Sequence, residues 1–148
     1  MKRLSVIFLL LVCALSGHAQ EIIPPMGKSI GRWTGFGLES MKENKTGGLD
    51  YIEVTMNNVI GRDTSGVWGR AAALKSNIDS SGLKVWSVHM PYSRTLDISV
   101  IDDAMRAENV RYMKDMMRVA GIFQPQYLVL HPSSEPITPD ERAQRLAN

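Results

Sequence analysis

The sequence predicts an α/β fold in which parallel strands alternate with amphipathic helices. Three short apolar runs have the length and composition of strands: Tyr51–Thr55, Leu83–His89 and Tyr127–His131. Between them lie longer segments whose apolar residues recur every three or four positions, as on one face of a helix. A strand followed by a helix and another strand returns to the same sheet in parallel, through a right-handed crossover.

The chain begins with the features of a secretory signal peptide. Two basic residues precede an apolar run from Leu4 to Leu15, and Gly17 and Ala19 supply small residues at the two positions that signal peptidase reads. We therefore expect residues 1–19 to be removed and the mature protein to be secreted or periplasmic. An apolar run of about a dozen residues is too short for a membrane anchor, so no membrane association is expected after cleavage.

Charge and cysteine content argue against several function classes for the mature chain. The 148 residues include 17 Lys and Arg and 15 Asp and Glu. Removal of Lys2 and Arg3 with the signal leaves 15 basic residues against 15 acidic ones. This balance argues against a nucleic-acid partner, which needs a basic surface. The single cysteine, Cys13, also lies in the signal, so neither a disulfide nor a thiol nucleophile is expected.

Residues 20–35 are predicted to form a leader loop, because they contain a proline pair and glycines. A weakly apolar segment, Phe36–Glu39, is interpreted as a first strand, although its link to Tyr51 is short for a crossover helix. The body of the domain is therefore expected over residues 36–148.

The first clear helix is predicted from a single apolar face. Val67, Ala71, Leu74 and Ile78 are spaced so that they fall on one side of a helix. Gly82 follows them, and a glycine just past the last periodic residue is typical of a helix C-terminus.

Capping residues delimit the next two helices. One is predicted to open near Ser99, with Asp102 three residues on, and to end at Gly121. Its residues predicted to face the core are Met105, Tyr112, Met113, Met116, Met117 and Ala120. The last helix is predicted to begin with Thr138 as cap and Pro139 at the first helical position, with an acidic residue completing a capping box.

Two histidines lie at the carboxyl ends of predicted strands. His89 ends the second clear strand, and His131, 42 residues later, ends the third; each is followed closely by a proline. Adjacent parallel strands lie about 5 Å apart, so the two side chains are expected to converge on one ligand. In α/β proteins, ligands bind at the carboxyl ends of the parallel strands. Two histidines make only half of a metal site, which needs three or four ligands.

Other polar and aromatic residues are weaker candidates for the site. Glu53 lies inside an apolar strand, where a carboxylate is costly unless it is paired, although it could also face solvent. Tyr92 follows His89 in a loop and is expected to touch substrate. Trp86 is interpreted as core between sheet and helix, and Asn57 and Asn58 as turn residues. Phosphate-binding glycine motifs and a nucleophile elbow are absent from the sequence.

Three segments together carry a family resemblance: GLDYIEV (48–54), LKVWSVHMPY (83–92) and YLVLHPSS (127–134). The ordered set resembles the xylose-isomerase-like TIM barrels, a group that holds sugar (phosphate) isomerases and epimerases and the endonuclease IV type of DNA-repair enzyme. The resemblance implies a (β/α)₈ barrel with its site on the carboxyl face. Because such a barrel needs about 250 residues, this chain is expected to supply about the first four βα units.

The resemblance also implies roles for individual residues. His89 and His131 match by position the metal-binding residues of the endonuclease branch, and in sugar-acting members the corresponding residues line the substrate pocket. Glu53 matches a glutamate that points toward the same end of the barrel. Tyr92 belongs to the Pro-Tyr pair that often follows the first histidine in the family, and it is expected to bind substrate. A divalent ion, Zn, Mn or Mg, is implied as cofactor. The carboxylates that move protons in the sugar isomerases are expected beyond Asn148.

The leading interpretation is an exported sugar (phosphate) isomerase or epimerase that performs metal-assisted proton transfer on an open-chain sugar. Its partner would be a small sugar or sugar phosphate. This chain alone is expected to be an incomplete, inactive fragment of that enzyme. Two alternatives stay open: a non-catalytic carbohydrate-binding barrel remnant, and an endonuclease IV-like metal-dependent phosphodiesterase, which the neutral mature charge disfavours.

Overall fold

The computed structural model describes residues 24–31, 35–133 and 137–147. The predicted signal peptide, residues 1–19, lies outside the described residues. The elements are β1 (Gly27–Ile30), α1 (Leu38–Thr46), β2 (Tyr51–Thr55), α2 (Met56–Ile60), α3 (Val67–Ser81), β3 (Lys84–His89), α4 (Asp103–Ala120), a 3₁₀ turn (Gly121–Phe123), β4 (Tyr127–Val129) and α5 (Pro139–Ala147). None of the helices in these ranges combines the length and apolarity needed to cross a bilayer.

The four strands form one parallel sheet in the order β1-β2-β3-β4. When consecutive parallel strands lie side by side and each crossover is right-handed, all the helices lie on the same face of the sheet. Accordingly, α1 packs against α3 and α3 against α4. This is the winding of a barrel; a doubly wound sheet reverses its strand order and carries helices on both faces.

The helix-covered face of the sheet holds the core. Ile30, Ile52, Val54 and Val88 are each completely buried under the helices. They pack in one cluster with apolar residues of α1, α3 and α4 and with Phe123, which is 1% exposed. Burial of each such side chain stabilises the fold by about 1.5–3 kcal/mol.

The opposite face of the sheet is open, and aromatic rings lie along it. Trp86 is the extra residue of a bulge, since Val85 pairs with Ile52 and Ser87 pairs with Glu53. The Trp86 ring contacts those of Tyr51 and Tyr127 at centroid distances of 5.2 and 5.5 Å. The interpretation of Trp86 as core between sheet and helix is therefore wrong: the indole lies away from the helices and is 42% exposed.

The first strand differs from the prediction. The predicted leader loop over residues 20–35 is wrong at Gly27–Ile30, because this segment is a strand that pairs in parallel with β2. Conversely, the strand predicted at Phe36–Glu39 is wrong, because α1 begins at Leu38. A four-residue strand has too little periodicity to be detected from the sequence, and its structure arises from pairing with β2.

Helix α3 follows the prediction closely, and α4 follows it in part. All four residues of the α3 stripe are buried, and Gly82 ends the helix in the left-handed conformation at φ 80°. Helix α4 begins at Asp103, later than predicted from Ser99, because Asp102 is the cap and accepts a hydrogen bond from Met105 N (2.8 Å).

The residues of α4 that face the core were predicted correctly in the carboxyl-terminal half of the helix. Met113, Met116 and Ala120 are buried, and Tyr112 and Met117 pack partly buried against the core. Met105 is 51% exposed, so its predicted burial is wrong. The later start of the helix places Met105 in the first turn, ahead of the region where α4 meets its neighbours.

Strand β4 is shorter and more exposed than predicted. It ends at Val129, two residues before His131, although Met90 N still donates to Val129 O (2.8 Å). Its apolar side chains, Tyr127 to Leu130, are between 36% and 57% exposed. A continuous apolar run is typical of a strand that is covered on both faces, but no described element covers the free edge of β4. Helix α5 begins at Pro139 as predicted.

Candidate functional site at the carboxyl edge of the sheet

The carboxyl ends of β2, β3 and β4 lie side by side. Thr55 pairs with His89, and His89 pairs with Val129, so the three strands reach this edge in register. The chain segments that follow each strand therefore leave the sheet at neighbouring positions. His131 follows β4 by two residues, and this brings it beside His89.

The two histidines predicted to converge are in contact. His89 Nε2 and His131 Nε2 are 2.9 Å apart, and the ring centroids are separated by 4.8 Å with an interplanar angle of 45°. This distance is that of a hydrogen bond between two ring nitrogens. Only one of the facing nitrogens can carry a proton, because two N–H groups would meet head to head.

The surroundings of His89 indicate which nitrogen carries that proton. His89 Nδ1 is buried and has no hydrogen-bond partner among the described residues. A buried N–H without an acceptor is rarer and more costly than a buried acceptor without a donor. His89 is therefore best described as the Nε2–H tautomer that donates to His131 Nε2. His131 is exposed, and its own Nδ1–H can be satisfied by solvent.

Tyr92 forms an aromatic wall beside both histidines. Its ring meets His89 edge-on at 5.0 Å and 75°, and it contacts His131 at 5.4 Å and 45°. The tyrosine is 43% exposed, so burial alone does not fix its position. Asn57 does so through the backbone, because its side-chain amide is hydrogen-bonded to both the N–H and the C=O of Tyr92.

Glu53 lies apart from this cluster, on the open face of the sheet. Its carboxylate accepts a hydrogen bond from Ser87 Oγ (2.7 Å), the residue opposite it on β3. Both line an open concavity of about 440 Å³ together with Lys28, Tyr51 and Trp86. His89 lies two residues further along the same strand as Ser87, a rise of about 7 Å. Glu53 therefore lies on the open face of the sheet, before the histidines along the strand direction. Its hydrogen-bond partner is Ser87 and not a histidine.

A buried polar network ties together the loops around the site, and sequence reasoning missed it. Asp97, in the loop after β3, is 5% exposed. Its carboxylate accepts hydrogen bonds from Ser99 N and Oγ, from Ser133 Oγ (3.0 Å) and from Arg145 of α5 (2.7 Å). Ser133 is two residues after His131, so the network also fixes the loop that carries this histidine.

The electrostatics of this network favour the charged carboxylate. Burial by itself raises the pKa of Asp97, but the hydrogen bonds from Ser99, Ser133 and Arg145 outweigh it and hold the pKa below the ordinary value. The sequence contained a local indication of the Asp97–Ser99 contact, because Asp followed two positions later by Ser favours a turn in which the Asp side chain accepts a backbone hydrogen bond. The ion pair with Arg145 spans 48 residues and had no local signal.

The histidine pair fits part of a metal site. A separation of 2.9 Å allows both Nε2 atoms to reach one ion with bonds of about 2.0–2.1 Å. Within residues 24–31, 35–133 and 137–147, no group of three His, Cys, Asp or Glu side chains could hold a metal. His89 Nδ1 also lacks the carbonyl or carboxylate that usually orients a metal-bound imidazole. The pair is thus a partial ligand set.

Comparison with solved structures supports the fold. A D-psicose 3-epimerase, crystallised in the presence of D-fructose, superposes with a TM-score of 0.58 at 16% identity, over 82% of this chain and 44% of that one. A xylose isomerase domain protein from Planctomyces limnophilus gives a TM-score of 0.53 at 15% identity, over 81% of this chain and 46% of that one. No protein-family model matches the chain, and neither does any curated protein.

These likenesses establish the fold. The predicted barrel architecture is confirmed as a partial (β/α) barrel of four parallel strands with alternating helices. The chain spans less than half the length of the two solved structures it resembles. Their sequence identity of 15–16% is too low to carry activity from either protein to this one.

Proposed function

We propose that this chain is part of an exported sugar isomerase or epimerase, in which His89 and His131 contribute to a divalent-metal and sugar site. The observation that carries the proposal is the 2.9 Å approach of the two Nε2 atoms at the carboxyl edge of a barrel-type sheet. That edge is where barrel enzymes place their chemistry. The likeness in fold to a D-psicose 3-epimerase and to a xylose isomerase domain protein supports the choice of sugar chemistry.

The roles proposed for the residues follow from their positions. His89 and His131 would hold a Zn, Mn or Mg ion, which when bound polarises the carbonyl and hydroxyl oxygens of an open-chain sugar. Tyr92 would form one wall of the sugar pocket, since its ring already covers one side of the histidine pair. Glu53 would accept a hydrogen bond from a sugar hydroxyl on the open face of the sheet, and Ser87 would hold its carboxylate in place.

The proton transfer itself needs a base that the histidine pair does not supply. Isomerisation and epimerisation both remove a proton from a carbon next to the carbonyl and return it to an adjacent carbon or to the opposite face. We assign this step, and the remaining metal ligands, to residues outside the described part of the chain. The chain alone is therefore expected to bind the metal ion weakly, because it supplies only part of the ligand set, and not to convert the sugar.

Export is part of the proposal and rests on residues 1–19. The intact mass of the protein isolated from its native host checks it. We expect a mass that begins near Gln20, and retention of residues 1–19 on soluble cytoplasmic protein would contradict export.

Calorimetric titration of the full chain tests the proposed site. We expect D-fructose or D-psicose to bind only in the presence of Mn²⁺ or Zn²⁺, and the double variant His89→Ala/His131→Ala to lose both metal and sugar. Asn58→Ala is the matched control, a polar side chain on α2 outside the histidine cluster. Sugar binding that is the same without metal and in the double variant would overturn the proposal.

A further inference from the structure

The side chain of Asn57 bridges the segments that follow β2 and β3. Asn57 Nδ2 donates to Tyr92 O (2.9 Å), and Tyr92 N donates to Asn57 Oδ1 (3.0 Å). One amide thus satisfies both backbone polar groups of Tyr92, in the way that a neighbouring strand would. Two bonds in opposite directions fix the backbone more tightly than one, because rotation about either bond breaks the other.

Both ends of this bridge are anchored in the core. Asn57 is the second residue of α2, whose Met56 is completely buried and whose Val59 is 4% exposed. On the other side, Met90 is also completely buried, two residues before Tyr92. The bridge itself is exposed to solvent. It therefore joins two rigid points through bonds that add little to the stability of the fold, since their alternative is bonding to water.

The bridge has a definite consequence for the histidine pair. Tyr92 reaches His89 at 5.0 Å and His131 at 5.4 Å in the position at which Asn57 is hydrogen-bonded to its backbone. The tyrosine ring is 43% exposed, so the core does not hold it there. Asn57, from the segment after β2, is thus bonded to the residue whose ring contacts one histidine of β3 and one that follows β4.

We propose that Asn57 is a positioning residue of the histidine site: it holds Tyr92 against His89 and His131 and so sets the shape of the space in which they bind a ligand. The inference deepens the proposed function, on which its meaning for sugar binding rests. The geometric part concerns the three rings alone and can be tested without metal or sugar. The competing explanation is that Asn57 only ties the end of β2 to the end of β3.

Histidine-selective isotope labelling of the full chain separates the two explanations. The ring-proton NMR signals of His89 and His131 are shifted by the ring current of Tyr92, and Tyr92→Leu gives the positions without it. We expect Asn57→Ala to move both histidine signals toward those of Tyr92→Leu while the thermal midpoint changes little. Asn57→Asp keeps the acceptor for Tyr92 N and loses the donor, so its signals should lie between. Asn58→Ala, the adjacent amide, should leave both signals unchanged.

A second measurement guards against a variant that folds poorly. Modification of each histidine by diethyl pyrocarbonate, followed by peptide mass spectrometry, should be faster in Asn57→Ala and in the milder Asn57→Asp than in the native chain. The proposal is overturned if Tyr92→Leu shifts the histidine signals but Asn57→Ala and Asn57→Asp do not. It is also overturned if Asn57→Ala lowers the thermal midpoint with no change at either histidine.

The two proposals fail separately. If Zn²⁺ does not bind the native chain, the proposed metal-dependent function fails, and the ring-proton signals still decide the role of Asn57. If Zn²⁺ binds equally well with and without the Asn57 bridge but the signals shift, Asn57 positions Tyr92 for the sugar alone, and the affinity for D-fructose should fall in Asn57→Ala.

Discussion

The two faces of the sheet differ in how far other parts of the chain cover them. On the helix-covered face, Ile52, Val54 and Val88 are completely buried under helices from the same chain. On the open face, Trp86 is 42% exposed and Tyr127 57% exposed, and the Trp86 ring packs against those of Tyr51 and Tyr127. The fold is held by the first face, and the histidine site lies at the rim of the second. Stability and function are therefore expected to respond to different substitutions.

The largest expected effect separates the two faces directly. Phe123→Ala removes a ring that is 1% exposed and should cost about 3–5 kcal/mol of unfolding free energy. Trp86→Ala removes a larger but 42% exposed ring from the open face and should cost less, about 1–3 kcal/mol, because it loses two aromatic contacts. Urea unfolding of both variants, analysed with a common m value, checks the contrast. Equal losses would mean that the open face is covered in solution.

The buried network around Asp97 should give the next largest effect. Asp97→Ala removes the 2.7 Å ion pair with Arg145, whose side chain is 12% exposed and keeps only a longer pair, 3.5 Å, with Glu141 among the described residues. Loss of one member of a buried pair costs about 3–5 kcal/mol. The matched control is Asp79→Ala, which breaks the exposed pair with Lys75 and should cost at most about 1 kcal/mol. Thermal unfolding of the two variants compares them, and a smaller loss for Asp97 would contradict its place in the network.

The same carboxylate predicts a pH dependence. Because the pKa of Asp97 is lowered in the folded state, its contribution to stability is full above the unfolded value of about 3.9. That contribution is lost as the pH falls through the lower folded pKa. The stability difference between the native chain and Asp97→Ala should therefore be constant near neutrality and shrink below about pH 4. Urea midpoints across this range measure it; a difference that grows in acid would have the wrong sign.

The open edge of β4 predicts self-association of the isolated chain. An exposed apolar strand with a free edge is a template for pairing with another chain. Size-exclusion chromatography should show species larger than the 16.5 kDa monomer, and Leu128→Lys should shift the profile toward the monomer. A compact native monomer with a sharp thermal transition would show that the open face needs no partner.

Sequence reasoning reached those features that depend on local pattern or on parallel winding. The α3 stripe with Gly82 was periodic, and the convergence of His89 and His131 followed from the alternation of strands and helices. Strand β1 was missed because four residues that include a glycine carry no period, and their structure arises from pairing with β2. Asn57 was interpreted as a turn residue because only the folded chain reveals its partner, Tyr92, 35 positions away. The Asp97–Arg145 pair was invisible for the same reason.

We propose that His89 and His131 bind one ligand together at the rim of the open face. The most direct test follows the ring-nitrogen NMR signals of both histidines during a Zn²⁺ titration of the full chain. We predict that the two Nε2 signals move together with a single midpoint, and that either single alanine variant weakens binding sharply without loss of fold. Movement of only one histidine signal, or of neither, would show that the two side chains do not share a ligand, and the 2.9 Å contact would then be a structural hydrogen bond.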